Sequence, residues 1–188
     1  MALLSLLHGL SAAAGTDLET VTVDHGLRPE AAGEAAFVAR RASALGLSHE
    51  TLRWRGWDGQ GNLQNAAREA RYRLMADWAE RRGLPCVALG HTADDQAETV
   101  LMRLARRSGV DGLSAMAPRS KRHGITWLRP LLFARREALR GHLRRAAVEW
   151  VDDPSNDDPR FARIQTRQSL AALAPLGIDV EALAEVAR

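Results

Sequence analysis

The sequence predicts an α/β protein built on a doubly wound, Rossmann-like parallel sheet, and three observations carry that expectation. Short β-branched or apolar runs alternate with longer segments whose apolar residues recur at helical spacing, the pattern of parallel β-α-β units. One run, "LPCVALGH", is apolar throughout, as a strand buried on both faces would be. A chain of 188 residues, 46% hydrophobic, is long enough to enclose a sizeable core.

The elements follow in order. After an apolar N-terminal stretch and a break at Gly15, "LETVTVDHG" reads as the first strand. An alanine-rich helix is expected from about Glu30 to Leu45. "LSHETLRWRG" is a second, more polar run with edge-strand character. Residues from Asn62 to Arg82 carry apolar side chains at helical spacing, and "LPCVALGH" follows as the third strand. "DDQAETVLMRLARRSG" runs from a polar start to a glycine stop, as a helix does. "GITWLRPLL" reads as a fourth strand and "RREALRGHLRRAAVEW" as an amphipathic helix. Beyond Trp150 the composition changes to the turn-rich, acidic "DDPSNDDPR" and two short helical patterns. Residues 1–150 are therefore expected to form the α/β domain, and 151–188 an acidic loop and helical extension leading toward further domains.

Composition narrows the function. No apolar run approaches the roughly 18 to 20 residues needed to span a bilayer, and "MALLSLLHGLSAAAG" has no basic residue ahead of its apolar stretch, as a secretory leader would. A cytoplasmic protein with no membrane partner is expected. Cys86 is the single cysteine, which excludes disulfides and cysteine-rich zinc sites within this chain; it is expected to be a small buried hydrophobe. The formal charge is only +3, yet Lys121 is the one lysine among 26 basic residues. Arginine's planar fork suits phosphate and nucleic acid, while one-sided arginine usage also follows from genome composition. Clusters such as "RLARRSG" and "KRH" are compatible with RNA and equally with a solvated face.

Ligands of open parallel sheets collect beyond the carboxyl ends of the strands. The first strand ends in Asp24, His25 and Arg28; the third ends in His91, Asp94, Asp95 and Glu98. On a helix starting near Thr92 to Asp94, Asp95 and Glu98 are three apart and share a face. Asp94 is the better candidate for a plain helix cap, since acids in a first turn complement the dipole. A carboxylate pair suits a metal ion or a cationic amine, and spacing does not choose between them. On the helix from Asn62, Arg68 and Arg71 are expected on one face, where they would meet phosphates or pair with local acids such as Glu69.

"VDHGLRPE", "NLQNAAREARYR", "LGHTADDQAETVLMRLARRSGVDGL", "RPLL" and "WVDDPSNDD" occur in an order that resembles the tRNA(Ile)-lysidine synthetases of the N-type ATP pyrophosphatase (PP-loop) group. The resemblance runs from the first residue to about Arg167; the "DDQAETVLMRL" block is its specific part. It implies a ligase that uses ATP and Mg2+ to adenylate C2 of the wobble cytidine of a CAU-anticodon tRNA(Ile), free lysine then displacing AMP to leave lysidine. It also implies roles: Asp95 and Glu98 hold the lysine, with His91 beside them. Arg71 lies at the ATP and acceptor site, and Asp24 with His25 lies against the nucleotide. Arg71, His91 and Asp95 are thus the candidate catalytic residues. No protein metal ligand is assigned, and a homodimer is an open expectation.

The resemblance departs at both ends. The family's Ser-Gly-Gly-x-Asp-Ser phosphate loop and its strand have no counterpart from Met1 onward, so the sheet is expected without its first strand and ATP binding is expected to be impaired. At the far end, "RIQTRQ" stands where the family has an Arg-Asn pair, and tRNA-binding C-terminal domains would lie beyond Arg188. Three other functions remain open: a catalytically inactive RNA-binding remnant, a tRNA thiolase of the same group, and a metal-dependent hydrolase using His91, Asp95 and Glu98. The lone Cys86, read as buried in a strand, argues against the thiolase, because sulfur delivery normally relies on cysteines.

Overall fold

The computed structural model describes residues 1–57, 59–109, 113–151 and 162–187; the acidic stretch "DDPSNDDPR", residues 152–160, lies outside them. Helix α1 spans Ala2–Ala14 and is closed by Gly15 in the left-handed conformation, φ 63°, which a residue without Cβ adopts at no steric cost. Strand β1, Thr20–Asp24, pairs in parallel with β2, His49–Arg53, in the register Thr20↔His49 to Asp24↔Arg53. The crossover between them is helix α2, Ala31–Ala44, because parallel strands need a long connection. Helix α3, Leu63–Arg81, starts where the Asn62 side chain accepts the Asn65 N–H at 3.0 Å. Both α2 and α3 pack on β1.

Strand β3, Cys86–Ala88, and strands β4, Arg119–Arg122, and β5, Ile125–Leu128, form a second sheet in the order β3-β5-β4. Helix α4 covers Ala93–Ala105, α5 Arg136–Arg145 and α6 Ala162–Leu173; a 3-10 turn at Ala174–Leu176 leads to α7, Val180–Val186. The α/β class expected from the alternating pattern is the one observed.

The chain divides into two units. One holds Met1, residues 3–87 and residues 121–127; the other holds Ala2, residues 88–120 and residues 128–188. In the first, the buried residues include Ala35, Ala42, Leu52, Ala67, Met75, Trp78 and Ala79. Tyr72 meets Trp127 edge to face there, ring centroids 4.7 Å apart, and such a pair contributes beyond its buried area. In the second, Ala97 and Val100 of α4 pack with Leu170 of α6 and Leu183 and Ala187 at α7.

The burial expected of β3 is corrected. Cys86 is exposed, while the next residue, Val87, is buried; β3 lies at the edge of its sheet, and alternate side chains of a strand face opposite ways, so an apolar run need not be buried on both sides. The charged "KRH", left open between RNA binding and a solvated face, begins inside an element the sequence pattern does not announce: Lys121 and Arg122 belong to β4, the first arm of a hairpin with β5. His123 and Gly124 connect them with φ of 50° and 75°. Two successive positive φ values are the geometry that matches the strands' twist in a two-residue hairpin. The Trp127 indole donates across it to the Arg122 carbonyl at 2.9 Å.

Candidate functional site

The second unit gathers the acids of "HTADDQAE" at the start of α4. Thr92 is the N-cap: its Oγ1 accepts the Asp95 N–H at 3.4 Å, and the Asp95 carboxylate accepts both the Thr92 N–H and its hydroxyl at 2.8 Å. This reciprocal box satisfies donors that a helix start leaves open. Capping therefore falls to Thr92 and Asp95, not to Asp94. Asp94 instead accepts the backbone N–H of Arg136, the first residue of α5, at 2.7 Å, and its other neighbour is the Arg135 guanidinium at 3.7 Å. One carboxylate thus ties the N-terminus of α5 to that of α4.

Asp95 and Glu98 do converge on a common cation, as their spacing predicts. Arg136 Nη2 lies 3.6 Å from Asp95 Oδ1 and 3.4 Å from Glu98 Oε1, and Arg167 Nε of α6 donates to Glu98 Oε1 at 2.5 Å. Glu98 is only 1% exposed, so its charge requires partners of opposite sign. His91 stands next to the cap, half-buried. A cavity of about 360 Å3 opens over Asp94, Glu98, Arg135, Arg136, Arg167 and Leu170; its far wall carries Glu181, which pairs with Arg135. The roles of Arg135 and Arg136 were missed by sequence reasoning. Their signal was present, two arginines at the expected start of an amphipathic helix, but nothing in it named the carboxylates they meet.

Gln96, inside the same acidic motif, faces inward, 1% exposed. Its amide donates to the Met116 carbonyl at 2.9 Å and accepts the Met116 N–H at 2.8 Å, fixing that segment against α4. The arginine of "RPLL", Arg129, is also buried; it donates to the Ala117 carbonyl at 2.8 Å and to Ser120 Oγ at 3.1 Å.

The first unit holds the other candidates. At the carboxyl end of β1, Asp24 Oδ1 accepts the Gly26 N–H at 2.9 Å. Arg71 of α3 reaches back to His25, its Nε and Nη2 lying 3.2 and 3.1 Å from His25 Nε2. An imidazole that accepts there is neutral and carries its proton on Nδ1. Partial burial, then the Arg71 charge, lower the His25 pKa from its ordinary value, against an opposing pull from Asp24. His25 Nδ1 is buried and has no hydrogen-bond partner among the described residues. Arg68 and Arg71 meet different partners: Arg68 leans over the Tyr72 ring, 5.3 Å from its centroid, because residues four apart are also helix neighbours, while Arg71 meets His25. Glu69 pairs with Arg122 and His123, and Arg28 with Glu34 at 3.2 Å. Asp24, His25 and Arg71 thus form one group, and Asp95, Glu98 and the residue beside them, His91, another.

A two-stranded parallel start, a helix N-terminus loaded with acids, and an arginine-histidine pair at the strand ends mark an α/β protein with polar groups gathered at its strand and helix ends. The chain belongs to the PP-loop domain family, which it matches over residues 1–174. It is similar to the tRNA(Ile)-lysidine synthase of Ruegeria pomeroyi, with 61% identity over 166 residues that cover 88% of this chain and 40% of that protein. The protein of the same description from a Bradyrhizobium species is 50% identical over 175 residues, 93% of this chain and 49% of the relative. The chain spans about half the length of the curated relatives it matches, or less. Its fold is similar to the U34-tRNA thiolase NcsA of Methanococcus maripaludis, solved with its 4Fe-4S cluster. The TM-score is 0.80 at 12% identity, covering 100% of this chain and 65% of that one.

Proposed function

We propose that this chain carries the substrate sites of a tRNA(Ile)-lysidine synthetase, which activates C2 of the wobble cytidine of a CAU-anticodon tRNA with ATP and couples free lysine to it. The observation that carries the reading is that Asp95 and Glu98 together already hold a side-chain cation, Arg136, at the wall of a cavity of about 360 Å3. A cavity of that size suits a small molecule, and carboxylates that grip a guanidinium can grip an ammonium. The names of the similar proteins point to the same substrate.

The residues divide the work. ATP supplies the activation, with Mg2+ carried on its phosphates; Mg2+ at such sites takes one or two carboxylates and completes its shell with phosphate and water. Asp24, at the end of β1, would be the carboxylate nearest that part. No group of three or more His, Cys, Asp or Glu suited to a metal occurs among the described residues. The Arg71 guanidinium, oriented by the neutral His25, would neutralise charge building on the leaving phosphate, with His25 itself against the nucleotide. Asp95 and Glu98 orient the lysine ammonium, which loses a proton before it attacks; His91 is the nearby base. Such a protein works where tRNA is, in the cytoplasm; no described helix is long and apolar enough to cross a membrane.

The hydrolase alternative needs His91, Asp95 and Glu98 around one ion, whereas the cation that Asp95 and Glu98 meet is the Arg136 guanidinium, a nitrogen cation closer in kind to an ammonium than to a metal ion. Against a thiolase, burial of Cys86 no longer counts, since it is exposed; that it is the one cysteine of the sequence still does. The test is incorporation of radiolabelled lysine into a CAU-anticodon tRNA(Ile) transcript in the presence of ATP, against a methionine tRNA transcript with the same anticodon. Lysine-dependent labelling of the isoleucine transcript supports the reading. Pyrophosphate release without lysine incorporation in the parent protein overturns it.

A further inference from the structure

We propose that Trp57 and Arg55, in the segment that follows β2, form a stacking site for an unpaired base of single-stranded RNA. That the ligand is RNA rests on the reading above; the site itself rests on five residues. Trp54 continues the β1–β2 ladder, its N–H donating to the Asp24 carbonyl at 2.9 Å, and its ring stands edge-on to His25 with centroids 5.9 Å apart. The segment therefore leaves the sheet at the carboxyl end of the parallel pair, beside the His25–Arg71 group. Gly56 has φ 109°, a conformation that side chains rarely adopt, and the turn it makes precedes an outward-facing Trp57. The Trp57 indole N–H donates to the Gln60 carbonyl at 3.3 Å, which fixes the ring by one edge, yet the residue stays 43% exposed.

A single exposed apolar residue is ordinary. Here it comes with charge. Arg53 and Arg55 flank Trp54, both exposed, and neither makes an ion pair or side-chain hydrogen bond among the described residues. Even with Asp58 counted, residues 53–58 carry a net +1. An exposed aromatic residue held by one edge, with exposed arginines two and four positions earlier in the same segment, is the combination that binds unpaired bases and their phosphates. An apolar or basic peptide would use the aromatic face but leave the guanidiniums without a role, so the charge favours an anionic partner with flat rings, which is RNA.

The experiment is fluorescence anisotropy of the full chain with two labelled RNAs, an anticodon stem-loop with a CAU loop and a blunt, fully paired duplex. Trp57→Ala is expected to weaken loop binding roughly 10-fold, the usual effect of one lost base stack, with little change on the duplex. Trp57→Leu, which keeps apolar bulk and guards against a folding defect, is expected to lose as much; Trp57→Phe is expected to stay close to the parent. Arg55→Gln is expected to lower the slope of log affinity against log salt by about one phosphate contact. Unchanged loop affinity in Trp57→Ala, equal losses on loop and duplex, or a loss confined to ATP binding would each overturn the site. Lysine incorporation separates the two readings. Trp57-dependent loop binding by a protein that makes no lysidine keeps the site and removes the synthetase assignment, whereas lysidine formation with unaltered RNA affinity in Trp57→Ala does the reverse.

Discussion

Thr92 and Asp95 cap each other: the Asp95 carboxylate accepts the Thr92 N–H and hydroxyl, while Thr92 Oγ1 accepts the Asp95 N–H. Asp95 therefore serves the helix with one oxygen and faces the Arg136 cation with the other. A substitution there mixes stability with ligand binding, and the two can be parted. Thr92→Ala is expected to cost about 1 kcal/mol, the usual worth of a cap, and Thr92→Ser much less. Asp95→Asn keeps an acceptor for the cap but removes the charge, so it is expected to lose lysine affinity in calorimetry while its urea midpoint stays near that of the parent. A midpoint as low as that of Thr92→Ala, with unchanged lysine affinity, would reduce Asp95 to a cap.

Glu98 is buried, yet the Arg136 and Arg167 side chains that meet it keep 32% and 30% of their exposure. Removing one partner of a fully buried pair costs roughly 3–5 kcal/mol; with guanidiniums that still reach water, Glu98→Gln is expected to cost about 2. Arg167→Gln leaves Arg136 in place and is expected to cost less. The double variant should then recover part of the sum, because each single change removes the same contact. Strict additivity in urea denaturation would show that the Glu98–Arg167 contact carries no coupling.

Gln96 links α4 to the segment around Met116 through both halves of its amide. Replacing it by alanine leaves a buried N–H and a buried carbonyl without their partner, and each such loss costs roughly 1–3 kcal/mol. Gln96→Ala is accordingly expected to cost about 2 kcal/mol or more, with faster amide exchange at Met116. Unchanged protection at Met116 would place the control of that segment elsewhere, in the Arg129 clamp on Ala117 and Ser120.

These three residues also show what was legible in the sequence. The pairing of Asp95 with Glu98 follows from helical period alone, and the structure brings both to Arg136. The task of Asp94 was not legible, because its partner is a backbone N–H 42 positions away; the same polar residue at the same helix start would serve equally as a local cap. Gln96 sits in a run of charges and carries no outward mark of facing the core. The β4–β5 hairpin was hidden for a related reason: "RSKR" lacks the apolar alternation of a strand, and its signal lies in the turn, where His123 precedes Gly124. Arg71 stands out in the sequence as one of several arginines near the start of its helix. Its partner His25 stands out as well, but their mutual hydrogen bond spans 46 positions and could only be seen in three dimensions.

That bond makes a pH prediction. The His25 pKa in the folded protein is lowered from the ordinary 6.5, by burial first and by Arg71 second; burial lowers that of His49 as well. A group whose folded pKa lies below its unfolded value binds its proton more readily when unfolded. Its stabilising contribution is therefore complete above pH 6.5 and is lost as pH falls toward the folded value. Unfolding free energy is expected to decline with acid in that window, and His25→Gln is expected to flatten the decline while His49 retains its share. Arg71→Met removes the charge that disfavours the imidazolium, so the His25 ring resonances are expected to titrate at higher pH than in the parent. An NMR titration in which His25 keeps its midpoint after loss of Arg71 would show that burial alone sets it, and that the Arg71–His25 contact has no part in keeping the imidazole neutral.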